Sequence, residues 1–346
     1  MMETTFRNKP TVRQAVVFAV AAAVAAGCAT EEFEQVCDRA CLVDVAERYL
    51  AAVAAGDPEL APLSENVAFV ENITPIEFGE GIWASAAGAG GFRIFVPDPV
   101  AGAVGIMTVI DRRTPEGVVP AMLAVRLEVD GGEITEAEHL VADVPEADPA
   151  NLAAARPALV TEVPDGERMR RDEIAAVAAS YYDALVASDG SLAPFADDCE
   201  RQENGVITAG PGLPPAPFDS IDVEGRSPPA VARDCAGQLS SRRFAYIDSI
   251  DDRRVFAVDP VLGLAMGFSH FRQSMARGPH LLIAADGSEV MWDEKREPYD
   301  LPAAHVWKIT NGEIHEVEAL GIFMPYDSRT GSEALSAARD RRVRAR

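Results

Sequence analysis

The sequence predicts an α+β protein built from two tandem copies of one domain, each with a helix followed by antiparallel strands. The first observation is a repeat, because residues 49–73 and 181–205 align without a gap. The second is an apolar stripe at helical spacing at the start of each copy. The third is a strand–turn–strand pattern late in each copy, "LEVDGGEITEAEHL" and "WKITNGEIHEVEAL". One fold used twice accounts for all three.

Each copy opens with a predicted amphipathic helix. The stripe runs from Leu42 through Tyr49, and its counterpart runs from Ile174 through Tyr181. Apolar residues three and four apart line one face of a helix. The turns "AAGDPE" and "ASDGSL" end the two helices, since Gly, Asp and Ser favour turns over helix interiors. An extended stretch that ends in Glu-Asn follows each turn.

The later strands are joined by predicted hairpin turns. Residues 96–105 and 258–267 place Asp and Gly at matching positions between β-rich runs. The turns "DGG" and "NG" tolerate the positive φ that tight hairpins need. The second copy is longer, with an insertion at 277–300 and a Pro- and Gly-rich loop at 208–230. A loop of this length is typical of a cover over a pocket mouth.

These patterns predict how the chain divides. The first domain spans 35–145 and the second spans 169–328, with the Pro- and Ala-rich linker 146–168 between them. The basic end of the chain, 329–346, contains "ARDRRVRAR" and is predicted to be disordered.

Charge excludes some classes of partner. The chain has 346 residues and a formal net charge of −24. Nucleic acid needs a basic face for its phosphates, so we expect no nucleic-acid partner. Attachment to anionic lipid by charge alone is excluded for the same reason.

The N-terminus predicts export. Residues 1–27 combine positive charge with an apolar run too short for a comfortable membrane span, as a secretory signal does. "AAGC" resembles a bacterial lipobox, in which Cys28 is lipidated and becomes the first mature residue. Plain signal cleavage is the alternative. The prediction is an exported protein, secreted or in the cell envelope, in contact with membrane only through a possible lipid anchor.

The remaining cysteines predict disulfides, because an even number in an exported chain favours them. Three pairings are open to Cys37, Cys41, Cys199 and Cys235. We favour Cys37–Cys41 and Cys199–Cys235, since each keeps within one repeat. Metal binding is disfavoured, because there is no CxxC and the histidines do not cluster beside the cysteines.

The motif "WKITNGEIHEVEA" and its echo "RLEVDGGEITEAEH" resemble the SnoaL-like superfamily, the nuclear transport factor 2-like α+β cone. The chain is also similar to exported two-domain proteins of unknown function common in fungi. That similarity rests on Cys37/Cys41, on "GEGIW" at 79–83 and on "PFADDCERQENG" at 194–205. Ile73 departs from the pattern, which has Gly there. The resemblance implies two cones, each with helices on a strongly curved sheet and a pocket against its concave face.

Enzymes of this fold place a carboxylate or a histidine in that pocket for proton transfer, so acidic and His residues on inward strand faces are the catalytic candidates. Strand alternation puts His305 on the same face as Trp307, and Val125 is the equivalent in the first copy. A hydrogen-bonded structural histidine is the alternative. The candidates are His305, Glu203, Asp198 and Arg201.

A second set is predicted to line a ligand pocket: Tyr181, Trp307, Glu318, Glu71 and Trp83. Core packing is the alternative for the aromatic residues, and a structural role for the Glu-Asn pairs that occur in both copies. Nucleotide-binding and metalloprotease motifs are absent from the sequence, so no cofactor and no metal are predicted.

Three functions follow. The first is binding of a small, partly apolar molecule in the second domain. The second is a cofactor-independent lyase, isomerase or hydratase that uses His305 with a carboxylate. The third is an assembly module with filled pockets, whose sheets pack within one chain or between copies. The fold itself selects none of them.

Overall fold

A long helix and then a curved sheet occur twice along the chain, in the predicted order. The computed structural model describes residues 1–2, 37–214 and 227–344. Cys28 and nearly all of the predicted signal lie outside the described residues. The elements below all belong to one compact unit, Gln35–Arg346.

The α-helices of the described residues include two long ones that start the two copies. They are α1 (Arg39–Ala55), α2 (Ile82–Ser85), α3 (Pro149–Ala153), α4 (Pro157–Val160), α5 (Arg171–Ala187), α6 (Cys235–Ser240) and α7 (Gly331–Arg344). Gly56 ends α1 and Ser188 ends α5, both in the left-handed conformation. None of the helices in the described part is both long and apolar enough to cross a membrane.

The first sheet has six strands in the order β2-β1-β6-β5-β4-β3. They are β1 (Leu63–Glu71), β2 (Thr74–Pro75), β3 (Ala86–Asp98), β4 (Ala103–Thr114), β5 (Gly117–Asp130) and β6 (Glu133–Asp143). Its pairings are antiparallel except between β1 and β6. We call this sheet with α1 and α2 the first cone.

The second sheet follows the order β8-β7-β14-β13-β10-β9, with β15 beside β13, and β11 and β12 form a separate hairpin in the predicted insertion. The strands are β7 (Phe195–Glu203), β8 (Val206–Ala209), β9 (Ser249–Asp259), β10 (Leu264–Gln273), β11 (His280–Ile283), β12 (Glu289–Trp292), β13 (Tyr299–Thr310), β14 (Glu313–Gly321) and β15 (Met324–Pro325). We call the second sheet with α5 and α6 the second cone.

Residues repeated in both copies hold the same local structure. Asp57 and Asp189 each accept a hydrogen bond from the backbone two residues on, which starts a 3-10 turn. Asn72 and Asn204 have positive φ and make reciprocal side-chain bonds to the backbone of the neighbouring strand. Both asparagines therefore fix the end of a strand.

Ile73 stands where the second copy has Gly205, and both have positive φ. That conformation is unfavourable for a β-branched residue. Ile73 is buried against Ala334 and Leu335 of α7, so apolar packing offsets the backbone cost. The prediction of a disordered tail is therefore wrong for α7, whose apolar face packs on the first cone.

The two sheets pack against each other through the faces that point away from α1 and α5. One hydrophobic cluster joins residues of both sheets, among them Met107, Met122, Leu140, Met266 and Val306. The two sheets thus pack against each other within one chain, through the faces opposite the concave ones.

Two reciprocal ion pairs cross between the cones. Arg39 of α1 binds Asp259 of the second sheet at 2.8 Å. Arg171 of α5 binds Asp98 of the first sheet at 2.7 Å. Arg39 and Arg171 are equivalent residues of the repeat, so the halves pack with approximate twofold symmetry.

Both favoured disulfides are present. Cys37–Cys41 closes the entry into α1, and Cys199–Cys235 ties β7 to α6. The second bridge lies in its own small cluster with Ala209.

We expect the two bridges to differ in their contribution to stability. Replacing Cys199 and Cys235 together by Ala should lower the free energy of unfolding by about 3–4 kcal/mol, since the bridge closes a long loop, with a sequence separation of 36. The same change at Cys37 and Cys41, four residues apart, should cost about 2 kcal/mol. Urea denaturation checks both, and a larger loss at the short loop would contradict the loop-length explanation.

Candidate functional site

A cavity of about 560 Å³ lies in the second cone. Its floor is the concave sheet face, including Ala303 and Ala319, and α5 contributes Tyr181. The segment after α6, with Phe244 and Tyr246, forms another wall. A volume of this size suits a small organic molecule.

One row of residues across each sheet accounts for the open space. Paired positions on four neighbouring strands of the second cone are Gly267, His305, Ala319 and Glu203. The equivalent row of the first cone is Ile106, Val125, His139 and Glu71. The exchange of His139 for Ala319 opens the centre of the concave face, whereas the Trp307 ring takes the space over Gly267.

The concave face of the first cone is filled by side chains. His139 contacts the Tyr49 hydroxyl at 2.9 Å and the Glu71 carboxylate at 3.4 Å, so the three side chains form one cluster. Glu71 also accepts the backbone N–H of Ile82, which starts α2. Trp83 of α2 packs edge-on against Tyr49. The prediction that Glu71 and Trp83 line a ligand pocket is therefore wrong, since both are part of this packed centre.

His305 lines the second-cone cavity but is poorly suited to act as a base. It is 4% exposed, stacks on Trp307, and contacts the Tyr182 hydroxyl at 3.4 Å through Nδ1. Burial, and then the charge of Arg201, lowers the pKa of His305 to about 3. The imidazole is thus neutral at physiological pH. Among the described residues, no carboxylate is hydrogen-bonded to it.

Glu203 faces the same cavity from the other side of Ala319. His305 and Glu203 are two strands apart, about 10 Å between Cα atoms. A ligand seated over Ala319 would therefore lie between them, although the two side chains do not touch.

Arg201 is the central charged group of the cavity. It is 1% exposed, donates to Glu203 through Nε at 3.1 Å, and donates to Gln238 Oε1 at 2.6 Å. Burial alone would lower the pKa of Arg201, but the Glu203 carboxylate raises it above its ordinary value. Arg201 therefore remains a charged group inside the cone. The Phe244 ring lies 5.0 Å from its guanidinium carbon.

Two other predicted site residues lie away from the cavity. The Asp198 side chain is 73% exposed and bonds His315 at 2.6 Å, so, contrary to the prediction, the structure does not place Asp198 in the candidate site. A bulge in β7 around Asp198 breaks the strand alternation before Arg201, so the two side chains have different environments. Trp307 is fully buried beneath the cavity, where it packs over Gly267. It supports the floor and does not line the pocket.

Glu318 belongs to the opposite face of the sheet, so its prediction as a pocket residue is also wrong. It is 0% exposed and accepts a hydrogen bond from Arg156 of the linker at 3.3 Å. Arg156 also pairs with Glu200 and Glu316, so one guanidinium serves three carboxylates. Burial, only partly offset by Arg156, raises the pKa values of Glu316 and Glu318 to about 7.

This cluster predicts a pH-dependent stability. A carboxyl whose folded pKa lies above its unfolded value binds its proton more tightly in the native state, so its stabilisation is lost as pH rises through about 7. Glu318→Gln should therefore match the wild type near pH 4 and be about 3 kcal/mol more stable at pH 8, since the loss runs from the unfolded to the folded pKa. Chemical denaturation at both pH values measures the difference, and a difference independent of pH would contradict a raised pKa.

Several cavity residues were not predicted from the sequence. Gln238 and Arg243 line the cavity from α6 and the segment after it, Gln273 from the end of β10, and Arg296 and Tyr299 from the insertion 277–300. The insertion 277–300 has no counterpart in the first copy, so the repeat could not place Arg296 and Tyr299. For Gln238 and Arg243, the available signal was their position after the Pro- and Gly-rich loop 208–230.

One further set of side chains does not make a catalytic site. His270, Asp300 and Ser328 lie together, but Asp300 and Ser328 both approach Nε2 of the histidine, at 3.3 Å each. A nucleophile triad needs the acid on the other ring nitrogen. Within the described ranges, no group of three or more His, Cys, Asp or Glu side chains is arranged to hold a metal.

Comparison with known proteins gives one family model and several solved structures. A model described as "Domain of unknown function (DUF8021)" matches residues 167–321, which hold α5 and β7 to β14. No curated protein matches the sequence.

Three of the similar solved structures come from different organisms. A candidate SnoaL-like polyketide cyclase from Jannaschia sp. CCS1 is 8% identical over 46% of this chain and 90% of its own, with a TM-score of 0.25. An NTF2-like protein from Burkholderia thailandensis E264 is 15% identical over 44% and 92%, with a TM-score of 0.24. PrhC from Penicillium brasilianum NBRC 6234 is 14% identical over 30% and 81%, with a TM-score of 0.26.

These descriptions name the SnoaL-like and NTF2-like folds that the sequence motifs resemble. At such TM-scores the likenesses carry no argument, and the α+β assignment rests on the helices and curved sheets themselves. The similarity to exported two-domain fungal proteins stays a prediction. The chain therefore folds as two α+β cones.

Proposed function

We propose that the chain binds a small, partly apolar molecule in the cavity of the second cone. The observation that carries this proposal is the exchange of His139 of the filled cone for Ala319 of the open one, where Ala319 lines the cavity. The two cones share their fold and the Glu-Asn pairs at their strand ends. They differ in the side chain at the centre of the concave face. A fold that needed only a packed core would keep the filled arrangement.

The composition of the wall supports a partly apolar ligand. Apolar side chains such as Leu185, Ile247, Phe271 and Leu301 alternate with a few polar groups. Binding sites for small molecules commonly have this mixture, in which apolar area gives affinity and a few polar groups give orientation.

The proton-transfer alternative has weaker support. A base with a pKa near 3 removes a proton poorly at neutral pH. His305 also lacks a carboxylate partner among the described residues, and Asp198 lies outside the cavity. The assembly alternative with filled pockets fits the first cone and not the second. Export, by plain cleavage or with a lipid on Cys28, remains part of the proposal.

Titration of the full chain with N-phenyl-1-naphthylamine, a neutral apolar dye that fluoresces when removed from water, tests this proposal. We expect a saturable increase in fluorescence with one dye per chain. A linear, unsaturable signal at all dye concentrations would contradict a binding cavity.

A further inference from the structure

The charge of the cavity wall is opposite to the charge of the protein. The formal net charge of the chain is −24. The charged side chains among the described lining residues are Arg201, Arg233, Arg243, Arg296 and Glu203. Arginines therefore outnumber carboxylates on the wall of a cavity in a strongly acidic protein, with Arg201 paired to Glu203 and Arg296 to Glu294. In a partly desolvated space, each charge acts more strongly than it would in water.

Arg201 occupies a position that the first cone fills with an apolar ring. The equivalent residue is Phe69, which lies at the same register of the first sheet and is fully packed. Burying a guanidinium with a carboxylate stabilises a fold little compared with an apolar side chain. The stability of the cone alone therefore does not account for Arg201.

Arg201 is held in one orientation and still has donors to offer. A guanidinium has five N–H groups. Its bonds to Glu203 and Gln238 use Nε–H and one N–H of each terminal nitrogen. One N–H remains on each terminal nitrogen, and this spacing fits the two oxygens of one carboxylate. Gln238 is itself fixed by Thr208, so the guanidinium is oriented before a ligand arrives.

A second buried polar side chain of the cavity wall has an unsatisfied hydrogen-bond acceptor. Gln273 is 2% exposed, and its Oε1 has no hydrogen-bond partner in the part of the chain that the structure describes. An unpaired buried acceptor costs free energy, and a ligand with an O–H or N–H group would satisfy it. Gln273 pairs across the strands with Tyr299, near Arg296 in the insertion.

Aromatic side chains complete the cavity. Phe244 lies against the Arg201 guanidinium, and Tyr181, Phe271 and Tyr299 add ring surface. Phe323 is exposed at its edge, 5.0 Å from the Tyr299 ring. Such surfaces favour a flat apolar body.

We propose that the ligand is an organic monoanion, a carboxylic acid with an aromatic or branched apolar body, whose carboxylate binds Arg201 on the Arg296 side of the cavity. A single negative charge fits better than a phosphate, because Glu203 already occupies part of the same guanidinium. This inference names the ligand class of the proposed function and rests on it.

A matched pair of probes tests the charge separately from the cavity. 2-Naphthoate and 2-naphthamide have nearly the same shape and differ in charge, and each is measured by displacement of the bound dye from the full chain. We expect naphthoate to bind at least about tenfold more tightly than naphthamide. In Arg201→Gln the ratio should fall to about one while naphthamide still binds, because glutamine keeps hydrogen bonds but not the charge.

Controls keep the outcomes distinct. Arg48→Gln, on the exposed side of α1, changes the net charge equally and should leave the ratio unchanged. If Arg201→Gln fails to fold by circular dichroism, Arg296→Gln is used, and its ratio should fall severalfold. Equal binding of both probes to the wild type, or an unchanged ratio in these variants, overturns the anion inference and leaves the cavity proposal standing. Failure of the dye to bind overturns the cavity proposal itself.

Discussion

Replacing Ala319 by His, together with His305 by Val, should abolish binding of the neutral dye while the chain stays folded. The pair of changes gives the second cone the Val and His that the first cone has at the same strand pair. In the first cone that His bonds Tyr49, and Tyr181 is the equivalent tyrosine beside the cavity. The new imidazole therefore has both a partner and space. We expect affinity to fall at least about 100-fold.

The matched control is Val118→His, which adds the same side chain at a position 61% exposed on the first cone. Its dye affinity should equal that of the wild type, and thermal unfolding should show all three proteins folded. Unchanged affinity in the folded Ala319→His/His305→Val variant would mean that the dye binds elsewhere.

Asp98→Asn should be among the most destabilising conservative changes in the chain, at about 3 kcal/mol. Asp98 is 0% exposed and accepts bonds from Arg171 and from the backbone N–H of Val258 in the other cone. The amide at position 98 would carry no charge, and its NH₂ group would face the N–H donors of Arg171 and Val258. The same change at Asp259, which pairs with Arg39, should have a similar cost.

Asp172→Asn is the control for this prediction. Asp172 forms an ion pair with Arg170 in which both side chains are more than 70% exposed, and such pairs contribute less than about 1 kcal/mol. Urea denaturation of the variants ranks the costs. An Asp98→Asn cost no larger than that of Asp172→Asn would show that the cones do not depend on their reciprocal ion pairs.

The repeat made the fold predictable. Residues that recur at the same place hold the same structure, as Asn72 and Asn204 do at the ends of their strands. The disulfide pairing followed from the same reasoning, since each bridge lies within one copy.

The site depends on the differences between the copies, and these are harder to interpret. Arg201 could be singled out because its counterpart is Phe69, yet Asp198 looked equally distinctive and lies outside the cavity. A bulge in β7 changes the alternation between them, and no sequence pattern predicts that bulge. His139 was missed for a similar reason, since its counterpart Ala319 has no chemistry that would draw attention.

The tail was predicted to be disordered because the prediction relied on its positive charge and not on the spacing of its apolar residues. Arginines dominate the end of the sequence, but Ala334, Leu335 and Ala338 share one helical face and are buried. The partner of that face is the first cone, around Val70 and Ile73. Burial against a distant part of the chain cannot be deduced from local charge.

A crystal structure of the chain grown with N-phenyl-1-naphthylamine tests the central claim most directly. We expect density for one dye over Ala319, between Tyr181 and Phe244, with the first cone closed around His139. Density for the dye only outside the second cone, or a second cone whose cavity is filled by its own side chains, would contradict the account.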